Sequence, residues 1–169
     1  MEPEWILVVI AIVTAIITAV YFGIHLKHLH KENKREGLLE RFNRFNKSKS
    51  KKARKIMINS NFKPDGDYIG DKKSDDFRLF KEELGELDTT AHLIRKGYVD
   101  KNDFLELLAG IIIVCFTKSK SYIEFVRKER HQEETKYYAK QFEWLNEQAE
   151  KWWKKNVSKI LPKPDELDL

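Results

Sequence analysis

An uncharged apolar run at residues 5–24, WILVVIAIVTAIITAVYFGI, constrains this chain more than any other feature. Its polar side chains are those of Thr14, Thr18 and Tyr21. A helix of this length is about 30 Å long, which matches the hydrocarbon thickness of a bilayer. The run therefore predicts a transmembrane helix, and no later stretch is as long and as free of charge.

The flanks of the run predict that it is retained and how it is oriented. A signal peptide would have a basic start, a shorter apolar stretch and a small-x-small cleavage site. Here the start carries Glu2 and Glu4, and no such site follows the run. Lysine and arginine follow the run but none precedes it, so the positive-inside rule places the N-terminus outside and the C-terminal part in the cytoplasm. We expect a single-pass protein of the cell membrane, with residues 1–24 as its transmembrane anchor.

Small residues recur at every fourth position of the run, at Ala11, Ala15, Ala19 and Gly23. Spacing of four keeps side chains near one helical face, and small side chains let two helices approach closely. This small-residue face is a candidate packing site for a second transmembrane helix, from a copy of this chain or from a partner membrane protein. The alternative is a chance spacing, because small residues are common in such helices.

Residues 25–52 are predicted to form a basic juxtamembrane helix and linker. From residue 27 to residue 55, twelve Lys and Arg accompany three Glu, whereas residues 56–169 hold twenty Lys and Arg against twenty-two Asp and Glu. This distribution argues against a nucleic-acid-binding domain, whose basic patch would lie on the fold itself. The candidate contacts with anionic lipid headgroups are Lys27, Lys31, Lys34 and Arg35. The alternative is that these four residues only set the topology.

A short apolar stripe and a break follow within this segment. The stripe is expected either to lie among the lipid headgroups or to dock on the distal domain. Its members are Leu38, Leu39, Phe42 and Phe45. Residues 46–50, rich in Lys and Ser, are predicted to interrupt the helix.

The distal domain, residues 53–161, is predicted to be a small cytoplasmic helical bundle, so the fold class is all-α. Apolar periodicity predicts helices over residues 53–61, 75–96, 104–116, 119–132 and 134–155, with a loop over residues 63–74. Gly97 is placed to end the second of these helices, and Asp100 to cap the third. Clustered β-branched residues leave a buried strand at residues 111–116 as an alternative. Residues 162–169 are predicted to be an acidic tail.

Three aromatic residues lie off the core face of the last predicted helix: Tyr137, Trp144 and Trp153. They are candidate anchors for a protein partner, since large exposed aromatics concentrate binding energy. The alternative is that a compact bundle buries them. The single cysteine, Cys115, lies in the most apolar helix and is predicted to be a packed core thiol.

No metal or cofactor is predicted. His25, His28 and Glu32 share a helical face, but one helix rarely supplies a closed metal site. The acidic residues from 65 to 76 resemble a calcium-binding loop only faintly, because Ile69 lacks a side-chain oxygen where a ligand is expected. A solvated acidic turn is the better interpretation.

From Ala53 onward the chain resembles a family of small prokaryotic proteins known only as a domain of unknown function. The resemblance rests on ARKIMINSNF at 53–62, LDTTAHLIRKGYVDKNDF at 87–104, YIEFVRKER at 122–130 and FEWL at 142–145. It implies one N-terminal membrane helix and a helical cytoplasmic part. It implies no reaction, cofactor or functional residue.

The sequence contains no Gly-rich phosphate loop, no HExxH motif, no Cys/His cluster and no nucleophile elbow. The leading hypothesis is therefore a membrane-anchored binding, scaffold or regulatory module. One alternative is a sensor of anionic lipid surfaces acting through the basic segment. Another is an enzyme without a recognisable motif, for which the best residue pairs are His92 with Asp88 and His131 with Glu134.

Overall fold

The computed structural model describes residues 4–59, 75–129 and 137–163, with the side chains of residues 4–8, 10, 11 and 129 left out. These ranges contain five helices: α1 Glu4–Asn46, α2 Ser48–Asn59, α3 Asp75–Arg95, α4 Lys101–Glu129 and α5 Lys140–Asn156. No strand occurs within them. The predicted all-α fold is confirmed, and residues 111–116 are helical. The proposed calcium-like loop lies almost wholly outside the described residues.

Helix α1 runs without a break through the apolar run and the basic segment. Its 43 residues give a length of about 65 Å at 1.5 Å per residue. Among the described residues it is the one helix long and apolar enough to cross a membrane. Every side chain from residue 12 to residue 33 is exposed, so the apolar half of α1 projects from the bundle without packing on it.

The interruption expected over residues 46–50 is confined to Lys47. The Lys47 amide donates to the carbonyl of Arg44 at 3.2 Å, and the Lys47 carbonyl accepts the amide of Lys51 at 3.0 Å. One residue therefore ends α1 and begins α2. Helix α2 then packs against both α3 and α4.

Helix α3 buries the stripe that its periodicity predicts: Phe77, Phe80, Leu84, Leu87, Ala91 and Ile94. It ends at Gly97, which has a φ of 80°. The Gly97 amide donates to the carbonyl of Ile94 and the Tyr98 amide to the carbonyl of Leu93, which is the bonding pattern of a Schellman cap. Asp100 then caps α4, since its Oδ1 accepts the amide of Asn102 at 2.8 Å. Both predicted helix boundaries are confirmed.

The two helices predicted over residues 104–116 and 119–132 are one helix, α4. Polar residues lie near its middle, but their hydroxyls bond within the helix. Thr117 donates to the carbonyl of Ile113 at 2.8 Å, and Ser119 donates to the carbonyl of Cys115 at 2.6 Å. With no Gly or Pro there to end it, α4 continues across the core and packs on α2 and α5.

The second half of α1 docks on the bundle, and Gly37 permits the contact. A Cβ atom at Gly37 would lie 2.6 Å from the carbonyl oxygen of Tyr98, in the α3–α4 turn. Leu38 packs against the core, and the ring of Phe45, which is 6% exposed, meets the ring of Phe104 edge-on at 6.2 Å. Of the two positions expected for the apolar stripe, the structure shows docking on the distal domain for Leu38 and Phe45, whereas Leu39 is 55% exposed and lies outside this contact.

We predict that Gly37→Ala destabilises the bundle although alanine favours helices. Overpacking against a fixed carbonyl costs about 1–3 kcal/mol, which exceeds the gain of about 1 kcal/mol in helix propensity. The matched control is Gly85→Ala in α3, where a Cβ meets nothing within 4 Å and the gain should remain. Urea unfolding of the full chain in detergent, followed by tryptophan fluorescence, measures both. Equal effects of the two substitutions would contradict the close approach.

Candidate functional site

A cleft of about 440 Å³ separates the corner between α1 and α2 from α3. Its α1 and α2 side carries cations, and its α3 side carries carboxylates. Arg41 and Arg44 lie 3.5 Å and 3.7 Å from the carboxylate oxygens of Glu86. Lys49 lies 2.7 Å from Glu82, and this contact holds the pKa of Glu82 below its usual value. Part of the basic excess after residue 40 is thus neutralised by α3.

Glu83 lines this cleft and forms a buried ion pair with Arg54 of α2. The two residues are 4% and 3% exposed, and Arg54 Nη1 donates to Glu83 Oε1 at 2.9 Å. Arg54 Nη2 donates to the carbonyl of Phe45 in the last turn of α1. The guanidinium carbon also lies 4.2 Å from the centroid of the Phe45 ring. One side chain therefore joins α1, α2 and α3.

Burial governs the electrostatics of this pair. Removal of water raises the pKa of Glu83 above its ordinary value, although the Arg54 charge acts in the opposite direction. Truncating one partner of such a pair costs about 3–5 kcal/mol, because the other charge stays buried without compensation. The pair therefore makes the attachment of α1 and α2 to α3 specific in geometry.

The sequence analysis missed Arg54 and Glu83, although a signal was present. Glu83 follows Phe80 by three residues and precedes Leu87 by four, so it occupies a position of the buried stripe of α3. Arg54 precedes Met57 and Ile58 by three and four residues on α2. A charged residue at a core position needs a buried partner, and that rule would have selected both.

Cys115 is the packed core thiol that was predicted. It is fully buried, and burial raises its pKa to about 12. Reactive cysteines have lowered pKa values and access to solvent. Cys115 therefore serves packing and has neither property of a nucleophile.

Asp88, one of the residues considered for catalysis, has a structural role. Its Oδ1 accepts the amide of Phe142 at 2.8 Å, in the first turn of α5. Ala139, which precedes α5 with a φ of 54°, supplies no side-chain cap, so α3 caps α5 across the core. His92 is exposed, and His131 and Glu134 lie outside the described residues. Within the described ranges no group of three His, Cys, Asp or Glu side chains is placed to hold a metal ion.

The candidate membrane-facing residues all lie on the projecting half of α1 or just beyond it. Ala15, Ala19 and Gly23 are exposed, and Ala11 lies in the helix with its side chain outside the description. Lys27, Lys31, Lys34 and Arg35, the membrane-proximal cations, follow on the same helix, and only Lys34 is half-buried. No carboxylate in the described part of the chain pairs with any of these four.

The three candidate aromatics are placed unequally. Tyr137 is 60% exposed and precedes α5. Trp144 and Trp153 are half-buried and pack against the core, and the Trp153 Nε1 donates to the carbonyl of Ile160 at 3.0 Å. Their service as anchors for a partner stays a prediction.

These contacts define a class of protein: a small all-α fold in which one long helix projects an apolar half and docks a basic half on a bundle. The chain belongs to the family that shares the domain of unknown function DUF4760, whose model matches residues 5–152. The match extends beyond the resemblance seen from Ala53 onward and includes the apolar run. No curated protein and no solved structure matches the chain.

We predict that ionisation of Glu83 gives stability a distinct pH dependence. Because its pKa is raised in the folded state, the native chain holds a proton that the unfolded chain has lost. This contribution is complete below the ordinary pKa of 4.5 and is lost as the pH rises through the folded-state pKa. Glu83→Gln keeps the shape and removes the titration. The free energy of unfolding of the wild type, relative to Glu83→Gln, should fall as the pH rises above the ordinary pKa of 4.5.

Urea unfolding at a series of pH values measures this difference. Glu82→Gln is the matched control, because Glu82 is exposed and its pKa is lowered, so its contribution changes with the opposite sign. A wild-type advantage over Glu83→Gln that grows with pH would contradict the dominance of burial.

Proposed function

We propose that this protein is a single-pass membrane protein whose helical bundle acts on the cytoplasmic side as a binding or regulatory module. The observation that carries the proposal is the continuity of α1 from an uncovered apolar half into a half docked on the bundle. Such a helix is a rigid support that holds the bundle at a set distance from the bilayer. From Ile24 to the docking contact at Gly37 this distance is about 20 Å along the helix.

The exposed apolar surface supports membrane insertion. Ile12, Ile16 and Ile17 are 54%, 59% and 63% exposed, and they belong to a large apolar surface that no described part of the chain covers. Soluble proteins rarely leave a patch of this extent to water, whereas a bilayer covers all sides of a helix. The family match begins at residue 5, which favours the run as a part of the domain over a removable leader. The flanking charges favour a cytoplasmic bundle.

The role as a binding module rests on how the polar groups are used. Arg54, Glu83 and Asp88 are engaged in holding helices together, so the polar groups that the fold brings close stabilise it. The cleft between the α1–α2 corner and α3 is open and carries both signs of charge. Such a surface suits recognition of a polypeptide with complementary charges.

Fractionation of the full-length chain tests the membrane proposal. We expect the protein in the membrane pellet after a carbonate wash, at its full mass, because the apolar helix remains in lipid. Protease added outside intact cells should leave a C-terminal epitope intact. Full-length protein in the high-speed supernatant, a product shortened by the first residues, or loss of the epitope would overturn the corresponding part of the proposal.

A second candidate function is sensing of anionic lipid. It is favoured by one contrast: Arg41, Arg44 and Lys49 are paired with carboxylates of α3, whereas the membrane-proximal cations have no such partners. Along the helix, Lys27 and Lys31 follow Ile24 by about 5 and 11 Å, whereas Lys34 and Arg35 follow it by about 15–17 Å, so the first two lie within about a Debye length of the membrane surface. Each would contribute about 1 kcal/mol of attraction.

We expect the full chain in detergent to retain more phosphatidylglycerol than phosphatidylcholine in native mass spectrometry. Replacing the four membrane-proximal cations with glutamine should abolish this preference, because the attraction is electrostatic. The control removes the same number of charges far from the membrane, at Lys118, Lys120, Lys128 and Lys140. Equal loss of preference in both variants would show that net charge, rather than position, governs the effect.

A further inference from the structure

The polar residues of the apolar run share one face of α1, and this face continues into water. The positions alternate four and three residues apart along the helix. They are Thr14, Thr18, Tyr21, His25, His28 and Glu32, which we call the polar stripe. At about 100° per residue, all six fall within an arc of about 80° of the helix surface.

Contacts within the chain join the members of the polar stripe in three pairs. The Thr18 hydroxyl donates to the carbonyl of Thr14 at 2.7 Å. The rings of Tyr21 and His25 are stacked, with centroids 6.1 Å apart and planes 5° apart. His28 Nδ1 lies 3.9 Å from Glu32 Oε1. All of these side chains are exposed to solvent in a single copy of the chain.

The bundle lies on the opposite side of α1. Taking Thr14 as the reference direction, Gly37, Arg41 and Phe45 project at about 140°, 180° and 220°. These are the residues that contact the α3–α4 turn, α3 and the core. A second helix can therefore lie along the polar stripe without meeting the bundle of its own copy.

Leu39 supplies an independent observation. It follows Glu32 by seven residues, on the same face as the polar stripe, and it is 55% exposed. Leu38 and Phe45 project from the other side of α1 and pack against the core. Leu39 is exposed because it projects away from the bundle. The face opposite the bundle thus carries an uncovered apolar side chain where the stripe continues.

We propose that α1 pairs in parallel with α1 of a second copy of this chain along the polar stripe. The pairing rests on the proposed membrane insertion, because polar side chains in a membrane helix face protein in preference to lipid. Alternation of four and three residues is the repeat of a left-handed coiled coil. A partner helix on this side would also cover Leu39.

The chemistry of the polar stripe suits an identical partner. A tyrosine hydroxyl and a neutral imidazole ring each both donate and accept hydrogen bonds, so Tyr21, His25 and His28 can each pair with their counterparts in a parallel pair. Glu32 lies one turn from His28, so two copies bring carboxylates beside imidazoles that donate to them. The small-residue face follows a different path. Each step of four residues rotates it by about 40° around the helix axis, so that Gly23 lies opposite the polar stripe.

Cysteine cross-linking in membranes distinguishes the two faces. His28→Cys and His30→Cys replace the same residue type at exposed positions about 160° apart around the helix. The native Cys115 is buried and remains in place as an unreactive thiol. Because a disulfide needs Cα atoms within about 7 Å, we expect His28→Cys to yield at least about tenfold more disulfide-linked dimer than His30→Cys after oxidation with copper phenanthroline.

A second pair examines the contact inside the bilayer. Thr18→Cys lies on the polar stripe and Ala19→Cys on the small-residue face. Dimer from Thr18→Cys but not from Ala19→Cys supports the proposal. Preferential dimer from Ala19→Cys, equal yields within both pairs, or no dimer from any variant overturns it.

Carbonate-washed fractions of the same cells separate this proposal from the membrane proposal. Protein that stays in the pellet without cross-linking overturns the pairing alone. If the protein is found in the supernatant but still cross-links through His28→Cys, the helix pair is supported and the membrane insertion is overturned.

Discussion

The attachment of the long helix to the bundle depends on one buried guanidinium. Arg54 donates both to Glu83 of α3 and to the carbonyl of Phe45 in the last turn of α1. A buried charge with one partner removed is costly, so these three helices are held in a single arrangement. The surface ion pairs around the cleft, such as Lys49 with Glu82, add electrostatic attraction between the basic segment and the acidic helix α3. Without α3, the cations of this segment would repel one another.

This attachment joins the projecting helix to the bundle through direct contacts. Gly37 permits close approach to the carbonyl of Tyr98, and α1 stays helical through that position. The apolar half and the docked half are therefore parts of one uninterrupted helix. Because the bundle occupies one side of α1, the opposite side is left with Leu39 and the polar stripe, which is the side that we propose for a second helix. Docking on the bundle thus uses one face of α1, and the proposed pairing with a second copy would use the opposite face.

Local signals predicted much of the fold, and non-local contacts account for what they missed. The stripe of α3, the left-handed Gly97 and the Asp100 cap depend on residues within a few positions of one another, and all were found. The division of α4 into two helices was wrong because Thr117 and Ser119 satisfy their hydroxyls within the helix. Arg54 and Glu83 were missed because they are 29 residues apart in sequence. Asp88 was considered with His92 as a catalytic candidate, and its structural role was missed because its partner amide is 54 residues away.

The sequence by itself determined that the chain is helical, that residues 5–24 suit a bilayer, and that positive charge follows this run at once. These properties depend on composition and period, which are visible along the chain. Only the tertiary structure decided which basic residues are neutralised by α3, which face of α1 the bundle covers, and that a buried ion pair joins three helices. The physical reason is that burial and electrostatic pairing are set by distances in space between residues that lie far apart in the chain.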